Sequence, residues 1–318
     1  MFSSQDEKMI HINNSETNII MFSTETNLKF VSEPDIHLFA DGTFQYCPKF
    51  YYQLYTIHVF RNGQYIPCAF FLLPDKTKQT YINMFQHLVQ SCPQSEVNID
   101  ISVLHLDFEI AVHEAVLSIW PNVLIKACQF HLGQAWYRKI QNLGLSGEYK
   151  DSASDIGKWL KKFFGLSYLE SADVADCFAF NILQDAPDNE KAMKFADYVL
   201  NTYVDERAKF HSRIWADPNL YSKRTTNGCE NFHRQLGAMF YSSHPNIFDF
   251  AEKLKTIQTN NYLKIRASMN GIPMENPQKQ KIVNMREIQN DFITGIITRT
   301  DDFRKIAYTN LPIAEKLF

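Results

Sequence analysis

Ile36-His37-Leu38-Phe39-Ala40-Asp41-Gly42-Thr43-Phe44 is an apolar run that ends at an aspartate, with a glycine next in line. That pattern predicts a buried strand delivering a carboxylate to its C-terminal end. Immediately downstream, Leu54 to Phe60 is rich in β-branched and aromatic residues, Arg61-Asn62-Gly63-Gln64 carries an Asn-Gly turn, and Tyr65 to Leu73 returns. This is a hairpin signature. Pro67 in the returning arm suits an edge or a strand start better than a central strand, because it has no N–H to donate.

Working outward, Pro74 to Thr77 opens a helix in which Tyr81, Met84, Phe85, Leu88 and Cys92 recur at helical spacing. Ile99 to Leu106 reads as a further strand ending at Asp107, followed by a helix from about Glu109 to Trp120. Val123 to Cys128 reads as a strand leading into a helix that contains His131, Trp136 and Ile140. The predicted order over 36–140 is β-β-β-α-β-α-β-α, an α/β arrangement. Upstream, Asn18 to Phe22 and Leu28 to Val31 are expected as short strands. From 141 to 210 the pattern is wholly helical, and helices continue over Cys229 to Phe240 and Phe248 to Ile265.

The composition bounds the function. The chain has 318 residues, 45% of them hydrophobic, which suits a folded core rather than a disordered chain. Its formal net charge is −3, so any nucleic-acid contact must come from a local patch and not from bulk charge. The six cysteines are widely scattered with no Cys-x-x-Cys pair, so a structural zinc site is not expected. The polar N-terminal stretch is unlike a signal peptide, and no apolar run is long enough to span a bilayer. A soluble, intracellular protein is expected.

Asp41 and Asp107 each end an apolar strand. If those strands are parallel neighbours, both carboxylates emerge at one sheet edge, where like charges repel unless a cation lies between them. Oxygen ligands of this kind suit Mg²⁺ or Mn²⁺, and a pair of such ions can clamp the attacking and leaving oxygens of a phosphodiester. The third candidate ligand is Glu230, in the first turn of the helix in Thr226-Asn227-Gly228-Cys229-Glu230-Asn231-Phe232-His233-Arg234. There Cys229, Phe232, Leu236, Met239 and Phe240 are expected as the core stripe. Glu230, His233, Arg234 and Gly237 share the adjacent face, with His233 and Arg234 placed to hold a phosphate. Taken singly, each acid is as readily a cap or a turn former.

Four motifs in order resemble the transposase domain of Mutator-like elements, the MULE family: Phe39-Ala40-Asp41-Gly42-Thr43-Phe44, Asp107 after its strand, Cys128-Gln129-Phe130-His131, and Thr226 to Glu230 with Phe232-His233. The resemblance covers 36–140 well and 211–240 moderately. It implies a ribonuclease-H-like DDE transposase with a mixed five-stranded sheet, flanking helices, an all-α insertion and a helical C-terminal tail. It further implies a catalytic, metal-binding triad of Asp41, Asp107 and Glu230 with two Mg²⁺ or Mn²⁺ ions. Cys128 and His131 match the family's CxxH motif, read either as a support to the active site or as half of a zinc site. The implied partners are DNA, as transposon ends and target, and a second copy in a homodimer; the implied compartment is the nucleus. The zinc-binding DNA readers usual in the family do not fit the sparse cysteines. A fragment, a degraded copy or a domesticated copy is therefore expected, and a catalytically inactive DNA- or protein-binding module is the competing reading.

The resulting division is 1–35 as an N-terminal extension, 36–140 as the first part of the core, 141–210 as the insertion, 211–245 as the final part of the core, and 246–318 as the tail. Residues 207–234 hold six Lys or Arg (Arg207, Lys209, Arg213, Lys223, Arg224 and Arg234) against Asp217 and Glu230. Phe210, His211, Trp215 and Tyr221 lie between them. A phosphate track with stacking platforms is one reading of this patch and a basic solvated face the other.

Overall fold

A computed structural model describes residues 1–34, 36–93, 101–218 and 227–270. They fall into two compact units, one of residues 1–126 and 227–270, the other of residues 127–218.

The first unit is built on a mixed seven-stranded sheet of order β1-β2-β5-β4-β3-β6-β7. Its strands are β1 (Ile10–Asn14), β2 (Ile19–Phe22), β3 (His37–Thr43), β4 (Gln53–Arg61), β5 (Gln64–Leu73), β6 (Val103–Leu106) and β7 (Leu124–Ala127). The β4–β5 hairpin closes through Asn62 and Gly63, both at positive φ, as the Asn-Gly signal requires. β3 pairs antiparallel with β4 and parallel with β6.

Helices cover both faces of the sheet. Those of this unit are α1 (Glu25–Val31), α2 (Lys78–Ser91) and α3 (Ile110–Ile119) before the second unit, with two more after it. Tyr81, Met84, Phe85 and Leu88 form the buried stripe of α2, capped by Thr77, whose hydroxyl accepts from the Thr80 N–H. Along β4 the side chains alternate: Tyr55 meets Tyr81 of α2, while Leu54 points to the opposite face.

The second unit is helical: α4 (Gln129–Asn142), α5 (Ser146–Lys150), α6 (Asp155–Lys162), α7 (Val174–Cys177) and α8 (Glu190–Val199), joined by shorter 3₁₀ and π segments. Aromatic rings fill it. Trp136 meets Phe164, Tyr203 and Trp215 edge-on, and Phe163 does the same with Trp159, Phe178 and Phe195. The chain then re-enters the first unit as α9 (Asn227–Gly237) and the long α10 (Ile247–Met269). Leu236, Phe250 and Leu254 from these two helices join Met9, Phe22, Cys47, Leu54, Phe70 and Leu72 in one buried cluster.

Three expectations change. The sheet has seven strands and not five, because residues 1–34 add two strands at one side of it: β2 pairs with β5, and β1 with β2. Leu28 to Val31 is helical within α1, since Thr24 caps that helix by accepting from the Asn27 N–H and Glu25 pairs with Lys29 one turn on. Pro67 lies in a strand with neighbours on both sides. It is tolerated because a β-bulge opens the register there, with Ile57 opposite Ala69 but His58 opposite Pro67, and because β2 pairs only with Phe70 to Leu72. Residues 247–269 form one continuous helix, and 271–318 lie outside the described residues. Among the described residues no helix is long and apolar enough to cross a membrane.

Candidate active site

Asp41 lies near the C-terminal end of β3 and is buried. Gly42 donates its N–H to Asp41 Oδ1 at 2.9 Å. Asp41 pairs with Thr56 across β3 and β4, so the two side chains leave the sheet on the same face. The parallel register of β3 and β6 pairs His37 with Val103, Leu38 with Leu104 and Phe39 with His105. The last of these pairs is Phe39 with His105, and the same offset carried two residues further matches Asp41 with Asp107, the residue that follows β6. Asp107 is half-buried, and the Phe108 N–H donates to its Oδ1 at 2.5 Å. His113 of α3 reaches back with Nε2 to the Asp107 carbonyl at 2.7 Å; a carbonyl only accepts, so that nitrogen carries the proton.

On the α2 face, the Tyr81 hydroxyl stands 3.0 Å from both Gln53 Oε1 and Glu109 Oε1, and its one proton serves one of them at a time. Lys76 pairs with Glu109 at 3.2 Å. Gly42 is needed here: a Cβ on it would lie 1.7 Å from Gln53 Nε2. Tyr55, fully enclosed beneath these groups, feels several of them. Burial first, then the charges of Tyr81, Asp41, Glu109 and Asp107, push its hydroxyl well above the usual tyrosine range.

The third expected ligand, Glu230, sits in the first turn of α9, half-buried, with one carboxylate oxygen sealed from solvent. One turn later on that helix, His233 is buried. Its Nδ1 lies 3.3 Å from Asp41 Oδ2 and its Nε2 2.8 Å from Thr56 Oγ1. His58 Nε2 lies 3.0 Å from the same Thr56 oxygen. Two glycines seat α9: a Cβ on Gly228 would lie 2.1 Å from the Tyr65 ring, and one on Gly237 equally close to Tyr46.

The first unit therefore carries Asp41 and Asp107 at the C-terminal ends of two parallel neighbours, and α9 carries Glu230 one turn from a residue that lies 3.3 Å from Asp41. His233, expected at a phosphate, is instead enclosed between Asp41 and Thr56, because the buried arc of α9 is wider than the expected stripe. Arg234 is exposed and donates to Asn231 Oδ1 at 2.7 Å. In the second unit, Cys128 is buried just ahead of α4 and the His131 ring meets Phe130 edge-on. Arg213 is exposed, but Phe210 and Trp215 are buried and not stacking platforms; the Trp215 indole N–H donates to the Phe210 carbonyl at 2.8 Å. Lys223 and Arg224 lie outside the described residues. Thr56, His58, Tyr81 and His113 were missed as site residues. Thr56 and His58 carried a signal: two polar residues two apart, inside an otherwise apolar strand.

No curated protein matches the chain. Residues 37–135 match the family model of the MULE transposase domain, a span that holds Asp41, Asp107, Cys128 and His131 and ends before Glu230.

Proposed function

We propose that this protein is a DDE-type transposase of ribonuclease-H-like fold, cutting and joining DNA strands with the help of Mg²⁺ or Mn²⁺. The observation that carries the reading is the parallel register of β3 and β6, which, carried past its last pair, matches Asp41 with Asp107 just beyond the end of β6. The MULE match over residues 37–135 supports transposase-type chemistry, with DNA as the partner.

The donor set fits the cation. Two carboxylates at adjacent strand ends and a third on α9 offer hard oxygen ligands, and a divalent cation between them offsets their repulsion. The backbone N–H groups of Gly42 and Phe108 hold one oxygen of Asp41 and of Asp107, which fixes the planes of both carboxylates. When bound, divalent cations at such a site lower the pKa of a water and offset charge on the phosphodiester oxygens. Asp41, Asp107 and Glu230 would be the ligands. Strand transfer has to hold two DNA ends together, which a homodimer does, and its substrate lies in the nucleus.

The test is nicking of supercoiled DNA by the purified chain with Mn²⁺, beside Asp41→Asn, Asp107→Asn and Glu230→Gln. Nicking by the parent and by none of the three variants is expected. Equal nicking by all four would place the activity elsewhere. DNA binding without nicking by any of them would leave a binding module.

A further inference from the structure

We propose that His233 is the positioning residue of Asp41, the last link of a buried donor chain running from His58 through Thr56. This rests on reading Asp41 as a cation ligand.

Hydrogen-bond accounting carries the argument. Thr56 Oγ1 has three polar neighbours: the Asp41 carbonyl at 3.2 Å, His233 Nε2 at 2.8 Å and His58 Nε2 at 3.0 Å. Its hydroxyl has one proton to give and two lone pairs to fill. Across the His233 ring, Nδ1 faces the Asp41 carboxylate, which only accepts. Two arrangements satisfy the Thr56 hydroxyl and both His233 nitrogens; only the second also gives the Asp41 carbonyl the Thr56 proton. In one, His233 is neutral with its proton on Nδ1, and Thr56 donates to the bare Nε2. In the other, both ring nitrogens carry protons, and Thr56 accepts from His233 while donating to the Asp41 carbonyl. In both, His233 Nδ1 directs an N–H at Asp41 Oδ2, and His58 donates to Thr56 through Nε2.

His58 agrees with this direction. It is fully buried, and burial first, then the neighbouring His233, pushes its pKa down to about 3, so the ring is neutral with one proton. Its Nδ1 has no hydrogen-bond partner among the described residues. Placing the proton on Nε2 leaves only a bare acceptor unpaired at Nδ1, where the other tautomer would strand a buried N–H. With Gly42 holding Oδ1 and His233 holding Oδ2, the Asp41 carboxylate is oriented from two sides by groups fixed in the core. Partners of this kind orient a metal ligand before the ion arrives.

The experiment measures Mn²⁺ affinity of the full chain, metal alone, by paramagnetic resonance. It is paired with ¹⁵N imidazole shifts that report which ring nitrogens carry protons. An Asn amide reaches the place of Nδ1, and a Gln amide reaches the place of Nε2. His233→Asn should keep affinity close to the parent, while His233→Gln and His233→Ala lose about 10-fold or more. His233 Nδ1 should be protonated in the parent, and His58 should carry its proton on Nε2. A bare Nδ1 on His233 overturns the proposal, and so does an affinity that follows thermal stability across the three variants instead of following the donor. A parent whose Mn²⁺ binding is absent, or is unaffected by Asp107→Asn, sinks the cation reading instead. The ¹⁵N shifts still decide the His233 contact in that case.

Discussion

Asp41, in β3, and Asp107, just past the end of the parallel neighbour β6, share the offset that pairs Phe39 with His105, although a hairpin and a helix separate them in the chain. Two carboxylates so placed destabilise each other without a cation and are stabilised by one. Asp107→Asn should therefore act with opposite signs in two buffers. In chelator it should leave thermal stability unchanged or raised. In Mn²⁺ at 100 times the dissociation constant the parent gains about 2.7 kcal/mol, and the variant should gain far less. Thermal melts of both proteins in both buffers check this; equal gains in Mn²⁺ would remove Asp107 from the ligand set.

His58 makes the fold acid-sensitive. Its folded pKa is depressed to about 3 against an ordinary value of 6.5. A base with a depressed pKa adds stability that is complete above pH 6.5 and is lost as pH falls toward 3. The loss runs at roughly 1.4 kcal/mol per pH unit for one group. His58→Gln keeps a donor near Nε2 but does not titrate. Between pH 6.5 and 4.5, above the main carboxylate range, urea midpoints in metal-free buffer should fall more steeply for the parent than for this variant. Parallel slopes would show that another group governs the acid limb.

Gly228→Ala sets two effects against each other. Alanine raises helix propensity by up to about 1 kcal/mol. The added methyl meets the Tyr65 ring, which is itself packed edge-on against Phe39 and Phe60 and cannot swing aside. Overpacking of this kind costs about 1–3 kcal/mol, so the net change is destabilising. It should also shift the first turn of α9, and with it Glu230. A lower melting temperature together with weakened Mn²⁺ binding is the expected pair of readouts.

Tyr81→Phe removes a hydroxyl whose single proton serves Gln53 or Glu109. About 1 kcal/mol of stability should be lost, the usual net worth of one such bond. Mn²⁺ affinity should be unchanged, because Tyr81 holds groups on the α2 face and not Asp41 or Asp107. A loss of affinity would mean that Glu109 belongs with the cation ligands.

What could be read from the residues was local. The apolar run into Asp41, the Asn-Gly turn and the helical spacing of Tyr81, Met84, Phe85 and Leu88 each lie within one element, so periodicity and turn chemistry find them. The N-terminal strands were harder. Leu28 to Val31 is too short an apolar run to separate strand from helix, and only the Thr24 cap decides it. The chain from His58 to Asp41 spans three elements, so no window of sequence contains it. The arc that α9 buries was misjudged for the same reason: Gly237 is covered by Tyr46, which arrives from the loop after β3.

The helical unit is spliced into the chain between β7 and α9, and that has a consequence for the order of assembly. β3, β4, β5 and β6 leave the ribosome early and can pair before the helical unit is made. α9 and α10 can cover their face of the sheet only after the whole excursion has been synthesised, and closing so long a loop slows that docking. Until then Phe70, Leu72 and Leu54 lack the cover of Leu236, Phe250 and Leu254. A nascent or truncated chain that stops inside the helical unit therefore carries Asp41 and Asp107 without Glu230, together with an open, adhesive sheet face. Arrival of Glu230 and burial of that face become a single event, so a half-made chain is an aggregation hazard until α9 and α10 have docked.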